Sequence, residues 1–404
     1  MVMVQAFRAL RPPPELAPRV ASPPYDVVNT REAAALAEGN PDSFLHVSRP
    51  EIALPVGTDE HADEVYAQGP RSLQALCDRG VLVQDREPRL YLYAQTMGGR
   101  RQTGVVACVS VEEYANDTIK KHEKTRPDKE DDRTRHIDTL GAHDEPVFLA
   151  YRAEPALDRF LADAAGAAPV YDFVTADGVG HTLWVLTPEA SAALSGLFAR
   201  VPALYVADGH HRSAAAARVE ALRRGTPGEH GVFLAVLFPH DQLQILPYNR
   251  LVRDRQGRSP EALLAALRER LDVVPAERPS PTEPRTMGLY LGGRWYRGRV
   301  REGSWDRGDP VASLDASLCQ EQVLGPLFGI TDPRKDKHVD FVGGIRGTDE
   351  LERRARAEGW HLAVALYPTT MDQLLAVSDA GALMPPKSTW FEPKLRSGLF
   401  VHRF

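Results

Sequence analysis

Cysteine is scarce in this chain and shows no pattern: among 404 residues there are three, Cys77, Cys108 and Cys319. They lie too far apart for a CxxC metal knuckle and suggest no disulfide framework, which suits a reducing cytoplasm. Long apolar runs are also missing. The longest, VFLAVLF at 232–238, is the size of a strand and far short of the roughly 20 residues that span a membrane. The first stretch, MVMVQAFRALRPPPE, has Arg8, Arg11 and three consecutive prolines where a signal peptide needs unbroken apolar sequence. A cytoplasmic location without a membrane partner is therefore expected. The net charge of −6 gives no general attraction to nucleic acid or anionic lipid. Nucleic acid is not an expected partner, and any phosphate must be held by a local basic cluster. The chain also lacks GxGxxG and GxSxG, which removes a dinucleotide fingerprint and a nucleophile elbow. Lys387-Ser388-Thr389 looks like the end of a Walker A loop, but Pro385-Pro386 stands where the glycines should be, so a P-loop is excluded.

What is present is an ordinary globular composition, 43% hydrophobic and 26% charged, in a chain long enough for two or three packed units. REAAALAEG (31–39) and EVYAQGPRSLQALCDRG (64–80) read as amphipathic helices with glycine C-caps. RLYLYAQTM (89–97) and QTGVVACVSV (102–111) flank GGRR as a hairpin. Further strands are expected at 182–186, 203–207, 232–238, 287–291 and 361–367, and helices at 213–224, 260–270 and 349–358. The fold class is α/β, or mixed α+β. PAERPSPTEPR (275–285) is proline-rich and without hydrophobic periodicity, so it is the expected linker between a unit at 1–274 and one at 286–404.

Four stretches could carry chemistry. In ADGHHRSAAA (207–216) a strand ends, Asp208-Gly209 turns, and an Ala-rich helix begins. A helix start offers free N–H groups and the positive end of the dipole, and His210, His211 and Arg212 add cationic or proton-donating groups, which suits a phosphate. The plain alternative is that Asp208 caps the helix and the histidines serve packing. A metal on His210 and His211 is disfavoured because adjacent side chains point apart. IKKHEKTRPDKEDDRTRH (119–136) is nearly neutral and is either a solvated charged helix or loop, or an active-site segment. In the latter case His122, Lys124, Arg126 and Arg133 would bind phosphoryl oxygens while Glu123, Asp131 or Asp132 held a metal ion or took a proton. MPPKSTWFEPKLRSGLF (384–400) offers Lys387, Ser388, Lys394 and Arg396 beside Trp390 and Phe391, and reads otherwise as a stiffened strand with a basic edge. SPPYDVV (22–28) could present Asp26 rigidly, since proline fixes the backbone before it.

Taken in order, PYDV, SFLHVSRPE, HEKTRPDKEDDR, ADGHHR, PYNRLV (247–252) and PKSTWFEPKLRSGL resemble domain of unknown function family 1015 over nearly the whole chain. The GHHR box is similar in turn to the G-x-x-R box of the ParB and sulfiredoxin-like superfamily, which includes enzymes that phosphorylate free L-serine with ADP, ATP or pyrophosphate. The resemblance implies a ParB-like core with a large insertion and a C-terminal lobe, and a small-molecule kinase with Mg²⁺. It departs from the compact pattern in the roughly 180 residues separating PYDV from GHHR. On this reading His210, His211 and Arg212 hold the donor, His122, Lys124, Arg126 and Arg133 close over it, and Lys387, Ser388 and Lys394 complete the cage. Asp26 or Asp208 is the base, Asp26 being preferred by analogy with the serine kinases, and His211 and Glu123 assist catalysis. Magnesium would be held by phosphates with one or two of Asp208, Glu123, Asp131 and Asp132. Two rivals stay open. A phosphohydrolase would release phosphate without an alcohol acceptor, and a nucleotide-binding ParB-like regulatory module would bind without turnover.

Overall fold

The computed structural model describes residues 2–404. The described residues form two units: 2–121, 125–243 and 393–404 make the first, and 122–124 with 244–392 make the second. The break expected at 275–285 is not where the chain divides. That proline-rich stretch joins two strands that both pair with a third in a single sheet of the second unit. It lacks periodicity because it is a loop, and a loop between strands has the same composition as a linker.

In the first unit the strands of the main sheet are β1 (Val4–Gln5), β2 (Tyr91–Met97), β3 (Arg100–Ser110), β4 (Ile119–Lys120), β5 (Val147–Tyr151), β6 (Tyr171–Val174), β7 (Gly180–Val185), β8 (Leu204–Asp208) and β9 (Val232–Pro239). Among the described residues their order is β4-β8-β5-β9-β3-β2-β7-β6, with β1 also on β3. β8 on β4 and β9 on β5 are parallel and the other pairs antiparallel, so the sheet is mixed. The expected hairpin is β2 and β3: Met97 pairs with Arg100, and Gly98 and Gly99 between them both have positive φ, as a two-residue turn requires. The apolar run at 232–238 became the fully buried β9, and β5 is buried throughout as well. Central strands covered on both faces lose the alternation of half-exposed ones.

Three helices of this unit bear on the site: α1 (Asp63–Asp78), α2 (Pro127–Leu140) and α3 (His210–Arg223). Ile137 of α2 packs with Ala215 and Val219 of α3 in one apolar cluster. Pro127 opens α2 at its first turn, where a missing N–H costs nothing, and Gly141 closes it in the left-handed conformation.

The second unit carries a six-stranded antiparallel sheet of β10 (Tyr248–Val252), β11 (Leu271–Pro275), β12 (Thr286–Leu291), β13 (Arg294–Val300), β14 (Val339–Gly343) and β15 (Leu362–Leu366), in the order β11-β13-β12-β15-β10-β14. Its core includes Leu263 and Leu267 of the helix Pro260–Arg270 against Met287, Leu289 and Val364. The whole fold is mixed α/β. No helix among the described residues is long and apolar enough to cross a membrane.

Candidate functional site

β8 does not run regularly to its end. Its pairing with β5 shifts between Val206 and Asp208, an irregularity of the kind that re-aims a side chain at a strand terminus. Asp208 then leads into Gly209, which caps α3 with φ 96°, and a Cβ there would also meet the Arg212 guanidinium at 3.2 Å. Glycine is needed twice, for the left-handed turn and for room. Asp208 does not cap the helix. Its Oδ1 accepts from the Gly209 N–H and its Oδ2 from Lys394 Nζ, both at 2.9 Å.

Arg212 is 6% exposed and turns back beneath this corner. Its Nη1 donates to the Pro146 carbonyl at 2.5 Å, and its Nη2 stands 4.0 Å from Asp26 Oδ2. Asp26 lies in a single turn, Tyr25–Val27, that follows Pro24, and its side chain is 40% exposed. Burial works to lower the Arg212 pKa, but Asp26, Asp208 and Glu145 outweigh it and hold the guanidinium charged. Burial likewise works to raise Asp208, and the Lys394 ammonium, then Arg212, reverse this and hold the carboxyl well below its usual range.

The charged stretch 119–136 is neither wholly solvated nor wholly in the site. From Pro127 it is α2, with Asp131 and Arg135 exposed and Asp132, Arg133 and His136 buried. Arg133 stacks 3.9 Å from the Tyr25 ring centroid and pairs with Asp132, which also accepts from the Tyr66 hydroxyl at 2.8 Å. His211 Nε2 accepts from the Arg126 N–H at 3.1 Å, so that ring carries its proton on Nδ1 if neutral and anchors the start of α2. Arg126 itself is exposed and pairs with Asp128.

Two acids that sequence reading passed over sit at the centre. In AHDEPVF, Asp144 bonds to His136 at 2.9 Å, and Glu145 Oε1 accepts from the Tyr25 N–H at 2.8 Å and the Ser397 hydroxyl at 3.0 Å. Glu145 thus ties the PYDV turn to the segment bearing Lys394, whose carbonyl accepts from Gln95 at 2.9 Å. A cavity of about 10 Å³, lined in part by Arg133, His136, Asp144, Glu145 and Arg212, has room for about one water. No motif announces these acids; proline after Glu145 was the sole local signal.

Burial first, then Asp144, pushes the Glu145 carboxyl up to about 7. A folded-state value above the ordinary one means that its contribution to stability is full below about pH 4.5 and is lost as pH rises through about 7. Glu145→Gln keeps an acceptor for Tyr25 and Ser397 but removes the titration. Its stability relative to wild type is expected to rise between pH 4.5 and 7.5, checked by chemical denaturation across that range; a flat difference contradicts this.

Three of the carboxylates expected to hold magnesium lie in this unit, and each is paired with a cation. Asp131 is exposed and pairs with Arg218 at 2.6 Å, Asp132 pairs with Arg133, and Asp208 faces Lys394 and Arg212. His122, Glu123, Lys124, Lys387 and Ser388 fold with the second unit. There the His122 carbonyl accepts from the Met384 N–H at 2.8 Å, and Lys124 and Lys387 are exposed. Asp26, Asp208, Arg212 and Lys394 are brought together in the first unit, with His210 buried beside Asp208.

A family model described as Protein of unknown function (DUF1015) matches residues 4–317. No curated protein matches the chain. Among solved structures it is similar to a conserved hypothetical protein from Pyrococcus furiosus, at 12% identity and TM-score 0.37 over 74% of this chain and 95% of that one. It is also similar to a free serine kinase in complex with AMP, at 13% and 0.38 over 73% and 91%. A third is SbnI with C-terminal truncation from Staphylococcus aureus, at 13% and 0.39 over 74% and 87%. Likeness this distant assigns no role to any residue.

Proposed function

This chain belongs to the family described as Protein of unknown function (DUF1015), and from that premise we propose that its first unit transfers a phosphoryl group from pyrophosphate, ADP or ATP to the hydroxyl of a small acceptor, with free L-serine as the acceptor. The observation that carries the reading is the Asp26–Arg212–Asp208–Lys394 constellation, in which an exposed carboxylate faces a buried, fixed cation at 4.0 Å.

Asp26 is open to solvent, so a substrate hydroxyl can reach it, and it orients that hydroxyl and takes its proton. Lys394 supplies positive charge to the transferring group and is set in place beforehand by Asp208. Arg212, surrounded by Asp26, Asp208 and Glu145, helps hold the Asp208 carboxyl ionised and keeps the three side chains in register. His211 fixes the start of α2.

The openness of Asp26 favours one second reading. An exposed base activates water as readily as an alcohol, which is phosphohydrolase chemistry. Incubation with each donor, with and without L-serine, separates the two: the transfer reading requires a phosphorylated acceptor, and the hydrolase reading gives phosphate release that does not depend on serine.

A further inference from the structure

The PYNRLV stretch has no part in the reaction above. In β10, Tyr248 and Arg250 are two residues apart and share a face of the sheet. Arg250 pairs across the sheet with Phe341 of β14, Tyr248 pairs with Gly343, and Leu246 of the neighbouring short strand pairs with Trp390. This register gathers three rings. Tyr248 meets Trp390 at 5.1 Å and Phe341 at 6.0 Å between centroids, both edge-on. The GGIRG glycines make the gathering possible: a Cβ at Gly343 would come within 2.8 Å of the Trp390 ring, and one at Gly344 within 2.6 Å of Pro247.

Arg250 is the unusual member. It is 3% exposed, with its guanidinium 4.8 Å from the Phe341 centroid. It donates to two backbone carbonyls, of Tyr248 and, at 3.0 Å, of Lys387. Burial lowers its pKa, and no carboxylate among the described residues counters that. A buried cation without a counter-charge is costly, and its field emerges little screened at the nearest surface.

That surface is Lys387. Its φ of 58° is left-handed, a conformation shared among non-glycine described residues only with Asp117 and Arg285. Strain of this kind persists where the surroundings impose it. Here Arg250 holds its carbonyl, the Ser388 hydroxyl donates to the Pro385 carbonyl at 2.7 Å, and Thr369 donates to the Ser388 carbonyl at 2.9 Å. The result is an exposed ammonium held 5.3 Å over the Tyr248 ring.

We propose that Arg250 and Lys387, backed by Tyr248, Phe341 and Trp390, form an anion subsite on the second unit that takes a phosphate group, free or carried by a nucleotide. The exposed Lys387 ammonium reaches the oxygens of a phosphate, and the buried Arg250 guanidinium, its donors held by the Tyr248 and Lys387 carbonyls, adds positive charge behind it. The subsite stands on the second unit alone, whatever the first unit catalyses.

Calorimetric titration of the full chain carrying Lys394→Ala, which removes a phosphate contact of the first unit, tests it with three probes: pyrophosphate, AMP and adenosine. Pyrophosphate or AMP is expected to bind, and adenosine to bind at least tenfold more weakly. Adding Lys387→Gly, which suits the left-handed backbone and deletes the ammonium, is expected to weaken Kd tenfold or more, and Lys387→Asn to do the same. AMP tighter than pyrophosphate marks a nucleotide as the source, and the reverse a free phosphate. Binding unaffected by both substitutions, equal binding of adenosine, or no binding of either phosphate probe overturns the proposal. Asp26→Asn is expected to leave this titration unchanged, so loss of turnover and loss of the subsite are read separately.

Discussion

Asp26→Asn is expected to lower phosphoryl transfer by about 10²–10⁴-fold, the usual worth of a positioned general base, while the thermal midpoint stays within about 2 °C of wild type. The two readouts separate because of where the side chain sits. Asp26 is 40% exposed and touches Arg212 only at 4.0 Å, so the amide loses little folding energy. It loses the capacity to take a proton. Matched turnover and melting measurements decide it: full activity in the variant removes Asp26 from the chemistry, and a midpoint many degrees lower makes its role structural.

Arg212→Ala is expected to have the largest effect on stability, about 3–5 kcal/mol by urea denaturation, as when one partner of a buried charge group is removed. Asp208 would lose one of the two cations that hold it ionised, buried Glu145 would lose a cationic neighbour, and the Pro146 carbonyl would lose its donor. Arg212→Lys recovers only part of this, since an ammonium cannot serve Pro146 and Asp26 with a guanidinium's spread of donors. Asp208 gives the loss its pH sign. Its lowered pKa contributes stability above the ordinary carboxylate range and loses it as pH falls. The gap between wild type and Arg212→Ala should therefore narrow on acidification. A cost below about 1 kcal/mol would mean that the cluster does not depend on Arg212.

Strong local signals carried the fold class. β9 was visible as an apolar run, the β2–β3 hairpin as GG between strand-like stretches, and α3 as an Ala-rich run after Asp-Gly. The site was legible where chemistry was concentrated in sequence: Asp208 and Arg212 stand out in ADGHHR, and Lys394 in FEPKLR. The irregularity that aims Asp208 was invisible, because a register shift depends on the partner strand, β5. Asp144 and Glu145 were missed because nothing in AHDEPVF distinguishes two buried acids from two exposed ones; their burial is set by Tyr25, His136 and Ser397, distant in sequence. That Asp132 is buried against Arg133 while Asp131 pairs with Arg218 was not legible in the charged stretch, because both partners are set by the helix faces and not by the order of charges. Arg250 lay in a quoted motif yet showed no chemistry, since an arginine in a strand looks exposed until its neighbours are known.

The most direct test of the central claim is mass spectrometry of the purified protein incubated with L-serine and, in separate tubes, pyrophosphate, ADP or ATP. The account predicts phosphoserine with at least one donor, and its loss in Asp26→Asn. No phosphorylated serine with any of the three, with the donors intact, would contradict it.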